Sequence, residues 1–76
     1  LNPKSYYPYY QYGYMLLDQR KFEEAIPFLD KAYHIEERRD IMHNIGYCHF
    51  QIEQFQKSKE CFYKSATNLD IENKSL

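Results

Sequence analysis

The sequence predicts an all-α chain of four helices arranged as two antiparallel helix-turn-helix hairpins. Two observations carry this. Gly13, Phe22 and Ala25 recur as Gly46, Phe55 and Ser58 at one constant interval (46−13 = 55−22 = 58−25 = 33), and a fixed period of that size marks a repeated structural unit. Within each unit the apolar residues fall three and four apart, which places them on one helix face. A single hairpin of this kind cannot bury its apolar side alone, so the neighbouring unit must complete the core.

The first unit is expected over residues 6–38, with helices over about 6–19 and 22–36. Ser5 stands where a hydroxyl can cap the first helix, and Pro8 falls in its first turn, where a missing N–H costs nothing. One stripe on that helix is Tyr9, Tyr12, Gly13 and Leu16, and a second beside it is Tyr10, Tyr14 and Leu17. Arg20 and Lys21 make the turn. The second helix then places Glu23 and Glu24 in its first turn, against the positive end of the helix dipole. Pro27 comes early enough to be tolerated with a slight bend. Ala25, Phe28, Leu29, Ala32 and Tyr33 face inward, and Glu24, Asp30, Lys31 and His34 face water.

The second unit is expected over residues 39–70, with helices over about 39–52 and 55–69. Glu36 to Arg39 form a polar joint before it, with Asp40 available near the start of the third helix. That helix carries Met42, Ile45, Gly46 and His49 on one side, His43, Tyr47 and Phe50 on another, and a further line of Ile41, Ile45, Cys48 and Ile52. Apolar on so many sides, it must pack against more than one neighbour. The fourth helix turns Ser58, Phe62, Ser65, Ala66 and Leu69 inward, and Gln56, Lys57, Glu60 and Lys64 outward. Residues 1–5 read as a linker or the tail of a preceding unit, with Leu1, Asn2 and Pro3 as a helix stop. Residues 71–76 read as a polar tail that frays. Because the chain opens on Leu1 where Met would stand, it is expected to be a piece of a longer protein.

Composition narrows the function. At 76 residues, a single small domain buries only about 60% of the surface its unfolded chain exposes. The net charge is −1, so no basic face advertises nucleic acid or an anionic membrane; Arg38 and Arg39 are offset by Glu36, Glu37 and Asp40. No apolar run reaches the roughly 18 residues of a membrane span, and no secretory signal opens the chain. Cys48 and Cys61 both fall in predicted helices, which suits reduced, packed thiols in the cytoplasm better than a disulfide framework. The anomaly is aromatic: nine Tyr and five Phe with no Trp. Aromatics in that number must fill a core or present a binding surface.

Catalytic chemistry is not in evidence. No nucleophile and base, paired acids or phosphate loop occurs at a usable spacing, and both glycines lie inside helices. His43 and His49 are six apart and so lie on different helix faces, which argues against metal ligation with Cys48 or Cys61. The expectation is a non-enzymatic protein with no metal and no cofactor, whose function lies in a surface.

The two units resemble the tetratricopeptide repeat family. Its recurring pattern is a large apolar residue, two spacers, an apolar residue, Gly, two spacers, a large residue, then later Ala, three spacers and Phe, and those places hold Tyr9, Tyr12, Gly13, Leu16, Ala25 and Leu29. In the second unit Met42, Ile45, Gly46, His49, Ser58 and Phe62 fill it, and the next small position holds Ala32 and Ser65. The chain departs from the family in three ways. Tyr and Met stand where Trp is favoured, Glu37 and Asp70 stand where a Pro closes the unit, and the interval is one residue short. His49 also puts a polar ring at an apolar place. The resemblance implies two units of a longer array, stacked as a right-handed superhelical segment.

What the resemblance implies about function is a groove. In this family the first helix of each hairpin lines a concave surface that holds a partner peptide. Position by position, that groove would show Tyr7, Tyr10, Tyr14, Leu17 and Asp18 from the first unit. The second would contribute Asp40, His43, Asn44, Tyr47, Phe50 and Gln51. Members that grip the C-terminal carboxylates of heat-shock chaperones use Lys and Asn at the places of Tyr10 and Tyr14, and Asn at the place of Asn44. Only Asn44 matches, so a cationic clamp is not expected. The aromatic patch suits an apolar or aromatic segment, extended or helical, bound by an adaptor, scaffold or chaperone, with the tyrosine hydroxyls and Asn44 bonding its backbone. ECFYKSA around Cys61 is similar to the third unit of tetratricopeptide chaperones of secreted translocator proteins, which use such an apolar groove. The alternative is an assembly element: Ile52, Phe62 and Leu69 at an open repeat end would pair with other copies, giving a homo-oligomer, or with flanking repeats.

Overall fold

The computed structural model describes residues 4–74, with side chains described for residues 4–66. Four helices follow one another: α1 (Tyr6–Asp18), α2 (Phe22–Ile35), α3 (Arg39–Gln51) and α4 (Phe55–Lys74). Successive helices pack on each other, α1 on α2, α2 on α3 and α3 on α4, and α1 also touches α3. That is the pattern of two hairpins stacked side by side.

The two hairpin turns are built alike, which is the repeat at atomic scale. Each places a non-glycine residue in the left-handed region, Arg20 at φ 64° and Glu53 at φ 64°. Each also closes with the same pair of hydrogen bonds. Arg20 N–H donates to the Leu17 carbonyl at 2.9 Å and Lys21 N–H to the Leu16 carbonyl at 2.8 Å. Glu53 and Gln54 repeat this on Phe50 at 3.0 Å and His49 at 2.8 Å. This double closure satisfies the last carbonyls of the helix and reverses the chain at once.

One buried cluster holds the units together: Leu16 from α1, Ala25, Leu29 and Ala32 from α2, and Ile41, Met42, Ile45 and Cys48 from α3. Tyr6, Tyr9, Tyr10, Leu17, Phe22, Ile26, Phe28, Tyr33 and Cys61 pack around its edge. The glycines sit where helices touch. A methyl group on Gly13 would lie 2.9 Å from Leu29 side-chain carbons and 3.2 Å from the Leu29 backbone nitrogen. On Gly46 it would lie 2.9 Å from the Phe62 ring and 3.1 Å from Cys61 Cβ. Burial pushes the Cys48 thiol pKa up to about 11, and both cysteines are free.

Several expectations are corrected. Ser5 stands at the N-cap of α1 but makes no side-chain capping bond. Tyr12, read as a stripe residue facing the core, is 42% exposed, with its ring edge-on to Phe28 at 4.5 Å. The cause is its position: Ile45, its counterpart in the second unit, is 2% exposed because a hairpin precedes it, and no described residue covers Tyr12 in that way. Phe62 and Ala66 are exposed rather than inward, although the Phe62 ring lies 5.1 Å from that of His43. The fourth helix runs to Lys74, past the expected end at Leu69 and through part of the tail expected to fray. The side chain of Leu69 and the helix stop at Leu1, Asn2 and Pro3 lie outside the described residues. His49 is half-buried, and its Nδ1–H donates to Gln54 Oε1 at 2.8 Å, so its polar ring is satisfied from the turn that follows.

Candidate functional site

The candidate site is the aromatic line along α1 and α3. Its α1 half forms because Tyr7, Tyr10, Tyr14 and Asp18 recur three or four residues apart and so share one helix face. Tyr7 and Tyr14 are exposed, and Tyr10 and Leu17 half-buried. The ring of Tyr10 lies 6.0 Å from that of Tyr14 and 6.3 Å from that of Tyr6, both tilted. A hollow of about 470 Å³ opens here, lined by Tyr7, Tyr10, Gln11, Tyr14, Met15 and Asp18.

The α3 half presents exposed His43, Tyr47 and Phe50, and half-buried Asn44 and Gln51. Tyr47 packs edge-on against Phe22 at 5.9 Å, and Phe50 against Phe55 at 5.3 Å. A second hollow of about 320 Å³ is lined by Phe50, Phe55, Ser58, Lys59 and Phe62.

One hydrogen bond joins the halves. The Asn44 amide Nδ2–H donates to the Tyr10 hydroxyl at 3.1 Å. Burial and the nearby negative charge of Asp40 raise the Tyr10 pKa above its ordinary value, against the lowering effect of the Asn44 bond. The phenol therefore stays neutral at physiological pH and keeps its O–H to donate. Asn44 still has its carbonyl oxygen to offer, but its amide is already in use within the chain. Asp40 is likewise engaged, accepting from Arg38 Nε at 3.2 Å and from the Ile41 N–H at 2.9 Å. Arg38 reaches Glu36 at 3.2 Å as well and stands 5.1 Å over the Tyr6 ring, so the one basic cluster of the joint is consumed locally.

Reading the sequence alone left Phe55 and Phe62 out of the site, yet both line the hollow beside Phe50. A signal was present: Phe22 and Phe55 recur one interval apart at the first position after each turn, next to the line of the groove. No group of His, Cys, Asp and Glu suited to a metal ion occurs among the described residues. Nor is any helix there long and apolar enough to cross a membrane.

Fold and surface together define a class: a stack of helical hairpins that presents exposed side chains along its first and third helices. The profile of the tetratricopeptide repeat family matches residues 6–38 and 40–67, and the chain belongs to that family. Over 53 residues, 68% of this chain, it is 32% identical to the tetratricopeptide repeat-containing protein trd-1 of Caenorhabditis elegans. The match covers 7% of that relative's length. No solved structure matches the chain significantly. Repeats of this family generally mediate protein–protein interaction.

Proposed function

We propose that this chain is a non-catalytic binding segment of a tetratricopeptide array in the cytoplasm, acting as adaptor, scaffold or chaperone. It takes an apolar or aromatic protein segment along Tyr7, Tyr10, Tyr14, Leu17, His43, Asn44, Tyr47, Phe50 and Gln51. The observation that carries this reading is that Tyr7 and Tyr14 on α1 and Tyr47 and Phe50 on α3 remain exposed, Tyr14 and Tyr47 at equivalent repeat positions, with a hollow beside each helix. Water-exposed rings cost little to leave singly, but a continuous patch of them is a binding surface. Each partner side chain buried there contributes roughly 1.5–3 kcal/mol before ordering costs, so two or three anchors give about micromolar binding at best. The test is selection of peptides from a displayed 12-residue random library, followed by titration of the selected peptides against the wild-type chain and a Tyr14→Ala/Tyr47→Ala variant. The reading predicts at least about tenfold weaker binding to the variant; unchanged affinity removes the groove from the account.

A second reading is favoured by a separate observation. Tyr12 and Met15 are 42% and 43% exposed, whereas their counterparts Ile45 and Cys48 are 2% and 0% exposed. That face of α1 has the composition of a buried repeat interface, and it suits packing against another hairpin, from the parent protein or from a second copy. Light scattering over a concentration series decides whether copies pair. Mass that grows with concentration, and stops growing in Tyr12→Gln/Met15→Gln, supports pairing; a folded monomer at every concentration excludes it.

A further inference from the structure

We infer that the partner segment anchors in the α1 half of the groove through a basic side chain, Arg or Lys, seated against Tyr14 and paired with the carboxylate of Asp18. The inference rests on the groove reading above and specifies the chemistry of its partner.

Charge distribution is the first argument. The stretches 6–18 and 40–51 contain neither Lys nor Arg, so all 10 basic residues of the chain lie elsewhere. The carboxylates on the groove line are Asp18 and Asp40. Asp40 is occupied by Arg38, whereas no ion pair reaches Asp18 among the described residues.

The placement of Asp18 is the second. It is the last residue of α1, where a carboxylate faces the negative end of the helix dipole and weakens the helix. Gln51 holds the equivalent place in α3, uncharged. Asp18 therefore contributes nothing to its helix, and it lines the same hollow of about 470 Å³ as the three tyrosines.

The third argument is the rings themselves. The face of a phenol carries negative quadrupole charge, which attracts a cation and repels a carboxylate. Elsewhere in this chain the same chemistry is already in use: Lys31 Nζ stands 5.8 Å over the Tyr9 ring, and the Arg38 guanidinium 5.1 Å over that of Tyr6. Tyr14, one turn before Asp18, presents an exposed ring beside that carboxylate, an arrangement in which a long basic side chain lays its stem on the ring and its head on Asp18. At the α3 end, Phe50, Phe55 and Phe62 offer the apolar seat for a second anchor.

The experiment is selection from a displayed 12-residue random peptide library on three forms of the 76-residue chain: wild type, Asp18→Asn and Phe50→Ala. Wild type is expected to enrich peptides carrying Arg or Lys together with a large apolar residue. Replacing that basic residue by Gln in a synthetic selected peptide should weaken binding to wild type about fivefold and leave binding to Asp18→Asn nearly unchanged. The same variant should melt at a slightly higher temperature than wild type, which separates a binding role from a structural one. Enrichment of apolar residues without basic ones, with binding lost in Phe50→Ala, overturns the inference and leaves the groove reading standing. Failure to enrich any peptide that depends on Tyr14, Tyr47 or Phe50 overturns both.

Discussion

At Gly13 a methyl group has nowhere to go. It would press on the buried Leu29 side chain and, at 3.2 Å, on the Leu29 backbone nitrogen, neither of which can move without shifting α2. Gly46 differs in part: the Phe62 ring it would meet at 2.9 Å is exposed and can swing aside, but Cys61 Cβ at 3.1 Å is fixed to the α4 backbone and yields only by a small shift of that helix. Replacing a helical Gly by Ala gains about 1 kcal/mol of helix propensity, and overpacking a tight contact costs about 1–3 kcal/mol. Gly13→Ala is therefore expected to destabilise the chain by about 1–2 kcal/mol in urea unfolding. Gly46→Ala should cost less than Gly13→Ala, about 1 kcal/mol or under, because only the Cys61 Cβ contact resists it, and a larger cost at Gly46 than at Gly13 would contradict this account. That both glycines mark close helix approaches was legible from their recurrence. That they differ in cost was not, since it depends on whether the facing side chain is buried by a further element. The Tyr10–Asn44 bond was equally hidden, because residues 34 apart in sequence meet only through the stacking of α1 on α3.

At the scale of the helix, α1 and α3 are copies of one design in different surroundings. The line Ile41, Ile45 and Cys48 is wholly buried, while the matching line of Pro8, Tyr12 and Met15 is open or half-open. Sequence pattern placed Tyr12 on a buried stripe as it did Ile45, because periodicity reports what a helix could bury and not whether a neighbour is there to bury it. The energetic consequence is measurable. Ile45→Ala should cost about 2–5 kcal/mol, as deletions in packed cores do. Tyr12→Gln, at the same repeat position, should cost less than about 1 kcal/mol in a dilute monomer. A large loss at Tyr12 under dilute conditions would mean that something covers it after all.

Across the whole molecule, the division of labour follows the repeat. One face of each first helix builds the core, and the adjacent face, one step round the helix, carries the aromatic line. The hairpin order and the turn positions were readable from a 33-residue interval and a handful of small residues, whereas the groove positions came only from the family resemblance. The polarity of the groove was not assembled from that pattern. It emerges only when Arg38 is seen to occupy Asp40 and Asp18 is seen beside three tyrosines. The central claim, that function lies on the α1–α3 aromatic line, is tested most directly by amide chemical-shift mapping of the ¹⁵N-labelled chain with a selected peptide. The account predicts that the largest shifts fall on Tyr10, Tyr14, Asp18, Asn44, Tyr47 and Phe50, with little change at Glu24, Lys31, Lys57 and Lys64. Shifts centred instead on Tyr12 and Phe28, or on the outward faces of α2 and α4, would contradict it.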